Sequence, residues 1–154
     1  MASHFGLSSR RELFGTAAVF SAALISGAPL ANATADAVAA EVKKLFGDKK
    51  IQEGKIKLEL PSIAENGLVV PLGFEVESPM TDKDYVKSVH VFAEGNPNPQ
   101  VASFRFTPMS PKAAAAIRIR LAQTQNIIVV AEMSSGEIFT AKKEVKVTIG
   151  GCGG

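Results

Sequence analysis

The chain has 154 residues, 46% of them hydrophobic and 21% charged, with a formal net charge of +2 at pH 7. That length and composition suit one globular domain with a single modest core, and exclude a disordered or fibrous chain. Lys plus Arg number 17 against 15 Asp plus Glu, and no basic run is interleaved with aromatics, so there is no electrostatic basis for nucleic-acid binding.

Residues 1–35 read as an address and not as fold. Arg10 and Arg11 precede an apolar, uncharged stretch from Phe14 to Leu30 that is rich in small residues, the layout of a twin-arginine export signal. The stretch is short for a membrane span, and Gly15, Gly27 and Pro29 weaken it further as one. Ala31-Asn32-Ala33 and Ala33-Thr34-Ala35 offer small-x-small cleavage sites, so the mature chain is expected to start near Thr34 or Asp36, in the bacterial periplasm and without a membrane segment. Leu13 stands where such signals prefer Phe, which leaves a general secretion signal as the nearer competitor. Cleavage also removes His4, so the mature chain keeps one imidazole, His90, and one thiol, Cys152. Tetrahedral N/S metal sites need three or four such ligands, so no metal and no cofactor are expected.

A short amphipathic helix opens the mature chain. Asp36 can cap it, Val38, Val42, Leu45 and Phe46 line one face, and Gly47 is a natural stop. That apolar face is expected to pack on its own domain, with docking on a partner chain as the alternative. The period then switches to two. Lys55 to Leu60 alternates aliphatic with charged residues and ends at Pro61; Val70, Leu72, Phe74 and Val76 form a second inward set, with Pro71 suggesting an edge strand or a bulge. Val89, Val91 and Ala93 point inward with His90 and Phe92 on the opposite face, and Gly95 to Pro99 is a forced turn.

Four further strands follow. Ala102, Phe104 and Phe106 define one; Ile117, Ile119 and Leu121 define the next, although Ala113 to Ala116 could begin as a helical turn. Asn126 to Met133 is apolar on both faces through Val130, as a central strand requires. Val145, Val147 and Ile149 alternate along the last strand. About seven short strands without helical crossovers predict an all-β fold, an immunoglobulin-like antiparallel β-sandwich with a short N-terminal helix over residues 36–149. The Cys and Trp of antibody domains are missing, so only the architecture is implied.

Residues 150–154 read Gly150, Gly151, Cys152, Gly153, Gly154. Glycine offers backbone freedom and minimal cross-section, so this segment is expected to be a flexible arm that can carry a thiol into a narrow tunnel of another protein. The same features argue against catalysis by this chain, because a glycine tail holds no nucleophile against a base. His90 is the one candidate base, and a single strand imidazole is more often a surface or packing residue. No basic residue in the arm lowers the thiol pKa, so activation of Cys152 is expected to come from a partner enzyme.

The terminal GGCGG, the twin-arginine leader and the stretches Ser78 to Thr81, Tyr85 to Pro99, Ala102 to Pro108 and Ile117 to Gln125 resemble the SoxY family, the sulfur-carrier subunits of the bacterial thiosulfate-oxidising system. The resemblance implies a heterodimer with SoxZ and covalent attachment of thiosulfate to Cys152 as an S-thiosulfonate by a haem-containing SoxAX enzyme. It also implies release of sulfate by SoxB, and oxidation or transfer of the remaining sulfane sulfur by a sulfane dehydrogenase. Lys142, Lys143 and Lys146, on the strand leading to the arm, would either attract anionic thiosulfate or an acidic partner, or simply solvate that face. Two other readings stay open at this level: an exported binding or structural sandwich that uses Cys152 for a disulfide-linked dimer, and a carrier that loads sulfur on the Gly154 carboxylate in the manner of ubiquitin-like proteins.

Overall fold

The computed structural model describes residues 35–151; residues 1–34, on which the expected export signal falls, and Cys152, Gly153 and Gly154 lie outside the described residues. One helix, α1 (Ala35–Phe46), is followed by nine strands: β1 (Ile51–Glu53), β2 (Ile56–Glu59), β3 (Ile63–Asn66), β4 (Val70–Val76), β5 (Val86–Ala93), β6 (Gln100–Arg105), β7 (Ala113–Ile119), β8 (Gln125–Met133) and β9 (Ile138–Ile149). They form a sandwich of two sheets. The larger has the order β1-β9-β8-β5-β6 with β3 also on β9, and the smaller the order β2-β4-β7. No helix among the described residues is long and apolar enough to cross a membrane.

Two strands escaped the sequence pattern, and both pair in parallel with β9. Ile51–Glu53 runs beside Ile138–Thr140, and Ile63–Asn66 beside Lys146–Ile149. Neither shows a clean alternation: β1 is exposed throughout, and in β3 only Ala64 is buried. The chain gets from one to the other by crossing between the sheets. Gly54 and Lys55 adopt positive φ and send the chain into β2 of the smaller sheet. Beyond Leu60 and Pro61 it returns to the edge of β9, so one long strand supports two short ones along successive halves of its length.

The expected alternation holds elsewhere. Val70, Leu72, Phe74 and Val76 are buried against Val89, Val91, Val129 and Val145 of the larger sheet in the main core. Phe74 is edge-on to Phe104 and Phe106, with ring centroids 5.1 and 6.4 Å apart. Pro71 is not on an edge strand, since β4 is the middle strand of its sheet. The β2 ladder, however, stops at the Glu59–Gly73 pair, so at Pro71 β4 has a neighbour only in β7, and a missing N–H is tolerated there. Ala113 to Ala116 is strand and not a helical turn: it pairs residue by residue with Val76 to Gly73, and the small side chains fit opposite Phe74, so pairing overrides the helical preference of alanine.

The second face of the larger sheet is covered by α1. Val38, Val42 and Phe46 pack on Phe92, Val130 and Ile138 in a separate apolar cluster, as the helix pattern predicts. Leu45, expected on that face, is exposed instead, because the four-residue apolar arc is wider than the sheet can cover. Gly47 ends the helix at φ 68°, its N–H donating to Lys43 O at 2.7 Å, in the left-handed stop that glycine favours. Burying both faces of β8 and β5 in this way makes Phe92 a keystone. Phe92→Ala is expected to lower unfolding free energy by about 3–5 kcal/mol, measured by urea denaturation, with α1 becoming sensitive to proteolysis first.

Candidate functional site

The root of the tail is built almost entirely from backbone. Gly67 N–H donates to Ile149 O at 2.8 Å, Leu121 N–H donates to Gly67 O at 2.8 Å, and Gly151 N–H donates to Leu121 O at 2.9 Å. Three chain segments are thereby tied together: the turn after β3, the turn after β7 and the end of β9. They approach too closely for side chains. A Cβ on Gly67 would collide with Leu121 O and sit 2.8 Å from Gly151 N; one on Gly150 would collide with Ala122 O; one on Gly151 would meet Gly67 O at 2.9 Å. Contacts this short are ones that real Cβ atoms essentially never make, so glycine is required here for close approach.

This differs from the expected arm at two positions. Gly150 and Gly151 were expected to be free, yet Gly151 is buried and both are packed in the junction. At these two positions the lack of a side chain permits the close approach. Cys152, Gly153 and Gly154 follow directly.

A buried polar network stands behind the junction. Asn96 and Gln125 are the buried polar side chains among the described residues. Asn96 Nδ2 donates to Arg120 O at 2.9 Å, and Asn96 Oδ1 accepts from Ala122 N–H at 3.0 Å and from Gln125 Nε2 at 2.9 Å. Gln125 Oε1 accepts from Gly95 N–H at 2.7 Å. The Gly95–Pro99 turn therefore holds the Arg120–Ala122 backbone, and that backbone holds Gly151. Gly67, Ala122 and Gln125 were not singled out from the sequence, Leu121 reads there only as an inward strand residue, and Asn96 only as part of a turn. A glycine before Leu68 reads as an ordinary turn, and an Asn-Pro pair hides the fact that its amide is buried.

The three lysines near the tail do different things. Lys142 Nζ lies 2.8 Å from Glu94 Oε1, and Lys143 Nζ donates to Leu60 O at 2.6 Å. Lys146 is exposed and forms no ion pair among the described residues. Burial pushes the Glu94 carboxyl up, but hydrogen bonds from Lys142 and Asn126 and the Lys142 charge outweigh it, so Glu94 stays below the usual carboxylate value. The sequence-level idea of a three-lysine attractor thus reduces to Lys146.

His90 does not join the tail. It lies on the face covered by α1, edge-on to Phe46 at 5.4 Å, with Gln100 Nε2 3.1 Å from Nδ1. With the amide donating, Nδ1 accepts and the ring proton sits on Nε2. Burial holds its pKa below 6.5, with Glu132 opposing and Arg105 reinforcing that direction. An open cleft of about 840 Å³, where β2 leaves β4, is lined by residues such as Leu58, Leu72, Arg118 and Lys143 and contains no hydroxyl, thiol or imidazole. No group of three or more His, Cys, Asp or Glu among the described residues could hold a metal ion.

Fold and site together define a class: a small all-β domain that anchors, at Gly151, the root of a glycine tail whose sequence carries a cysteine. The family model described as "Sulfur oxidation protein SoxY" matches residues 42–152. Among solved structures, the sulfur carrier protein SoxY from Chlorobium limicola f thiosulfatophilum is 34% identical, with a TM-score of 0.64, covering 75% of this chain and 100% of that one. The chain belongs to the SoxY family of sulfur carrier proteins. A superoxide reductase (neelaredoxin) from Ignicoccus hospitalis is 18% identical with a TM-score of 0.55, covering 75% of this chain and 94% of that one; it shares the fold alone. Comparison with curated protein sequences gives no match.

Two measurements check this geometry. Gly150→Ala is expected to destabilise the tail root by about 1–3 kcal/mol, read as faster hydrogen exchange at the Gly151 amide with little change at core amides. For His90 the folded pKa is lowered, so the unfolded chain binds the extra proton first and stability falls as pH drops below 6.5. Urea denaturation between neutrality and pH 5 is expected to show that loss, and His90→Gln is expected to flatten it. The Glu94 contribution is lost only below its ordinary value of 4.5 and does not overlap.

Proposed function

We propose that this chain carries sulfur intermediates of thiosulfate oxidation covalently on Cys152, in the periplasm, and presents them on its tail to partner enzymes that perform the chemistry. The observation that carries this reading is the junction at Gly67, Leu121 and Gly151. It anchors the chain up to the residue before the sole thiol of the sequence.

The chemistry sets what partners must supply. Joining the Cys152 thiol to thiosulfate forms one S–S bond and releases a proton and two electrons, so it requires an electron acceptor, which a haem enzyme of the SoxAX type provides. Hydrolysis of the resulting S-thiosulfonate, R–S–S–SO₃⁻ + H₂O → R–S–SH + HSO₄⁻, is redox-neutral and suits a SoxB-type hydrolase. The sulfane sulfur left on Cys152 is then oxidised by a sulfane dehydrogenase or transferred. A SoxZ-type subunit completes the carrier as a heterodimer. Export by the twin-arginine route fits the leader at Arg10 and Arg11, and the carrier itself uses no metal or cofactor.

Intact-mass spectrometry of the protein from thiosulfate-grown cells tests this. The expected result is a sulfur adduct that maps to Cys152 and disappears in Cys152→Ser, together with growth on thiosulfate. A chain whose Cys152 forms only a disulfide-linked dimer, or whose adduct sits on the terminal carboxylate, overturns the reading.

A further inference from the structure

Exposed aliphatic residues stand beside the tail root. Leu68 is 44% exposed, Val69 58% and Ile149 67%. They are contiguous: Ile149 O accepts from Gly67 N–H, Leu68 and Val69 follow Gly67 directly, and Leu68 N–H is held by Asn66 Oδ1 at 2.8 Å. Leu68 N also lies 3.0 Å from where a Gly151 Cβ would stand. The aliphatic groups therefore form a collar beside the point from which Cys152 departs. Arg120 and Lys146 flank it, both exposed and neither in an ion pair among the described residues.

With the root held at Gly151, the Cys152 sulfur lies at most roughly 6–7 Å from the Gly151 Cα, one residue plus a short side chain. A water-excluding active site recessed further than that is reached in only two ways. Either the junction opens and releases Gly150 and Gly151, adding roughly 7 Å, or the body of the domain presses against the enzyme so that the whole reach is spent inside it. The junction is backed by a buried amide network and by steric fit at three glycines, which favours the second. The surface that then meets the enzyme is the collar.

We propose that Leu68, Val69 and Ile149 are the docking surface for the rim of the active-site entrance in the enzymes that act on Cys152, a rim that is apolar at its centre and acidic at its edge. This rests on the carrier reading above and extends it to the body of the domain. The same collar serves each enzyme in turn, because every one must receive the same short reach. Burial of a few aliphatic side chains suits a transient encounter.

The test uses the full mature chain with its partner subunit, thiosulfate, and the haem-containing conjugating enzyme purified from thiosulfate-grown cells. Val69→Asp, Leu68→Asp and the double variant alter exposed positions and are compared with wild type for kcat/KM of adduct formation on Cys152, for alkylation rate with iodoacetamide, and for Tm. The expected result is a loss of kcat/KM of about tenfold for each single variant and more for the double, with alkylation rate and Tm unchanged. Undiminished kcat/KM in the double variant overturns the collar while leaving the carrier reading standing, and so does a parallel fall in alkylation rate. Failure of the wild-type chain to take any adduct overturns the carrier reading itself, and the collar with it.

Discussion

The close approach of three backbones at Gly67, Leu121 and Gly151 is the constraint on which the functional end of this molecule depends. Hydrogen bonds of 2.8, 2.8 and 2.9 Å link them, each contributing about 1 kcal/mol net, and no side chain intervenes. Much of the surrounding architecture makes this approach possible. The chain switches sheets at Gly54 and Lys55 and again beyond Pro61, which lays β3 beside the last residues of β9 and brings Gly67 to Ile149. The Asn96–Gln125 network fixes the opposite wall. Removing the Asn96 side chain would leave the Ala122 N–H, the Arg120 carbonyl and the Gln125 amide short of partners in a buried setting, a penalty that falls directly on the segment holding the tail.

The two faces of the larger sheet are used differently. One packs on the smaller sheet through Val89, Val91, Val129 and Val145; the other lies under α1 through Phe92, Val130 and Ile138. His90 belongs to the second face, and its lowered pKa reflects burial beside Phe46 and not a catalytic assignment. Lys142 and Lys143 are likewise committed to internal bonds that brace β9 against Glu94 and the end of β2. Lys142 and Lys143 thus maintain the body of the domain.

What was legible in the sequence follows from what leaves a periodic trace. Leu72, Phe74, Val89, Val129 and Val145 alternate because one side of each strand is buried, so the sandwich could be read from them. The double-sided burial of Ile127 to Val130 marked the central strand, and Val38, Val42 and Phe46 marked a helix that covers its own sheet. β1 and β3 left no such trace: they are short, and nearly all their side chains are exposed, so nothing alternates. The site was legible only as composition. Cys152 among glycines stood out as the candidate point of attachment, whereas Gly67 could not be distinguished from a turn glycine, because its partners are backbone atoms more than fifty residues away.

The division of the glycines has a functional logic that composition hides. A tail free from Gly150 onward would wander and lose orientational entropy each time it entered an enzyme. Anchoring Gly150 and Gly151 removes that cost before binding, since their backbone is already ordered against Ala122 and Gly67. The same anchoring shortens the reach, so the domain surface around the tail must follow the thiol to the enzyme. On the proposed reading, a carrier that serves several enzymes in succession gains both a defined departure point and a common surface, and the identity of each reaction is left to the enzyme that accepts it.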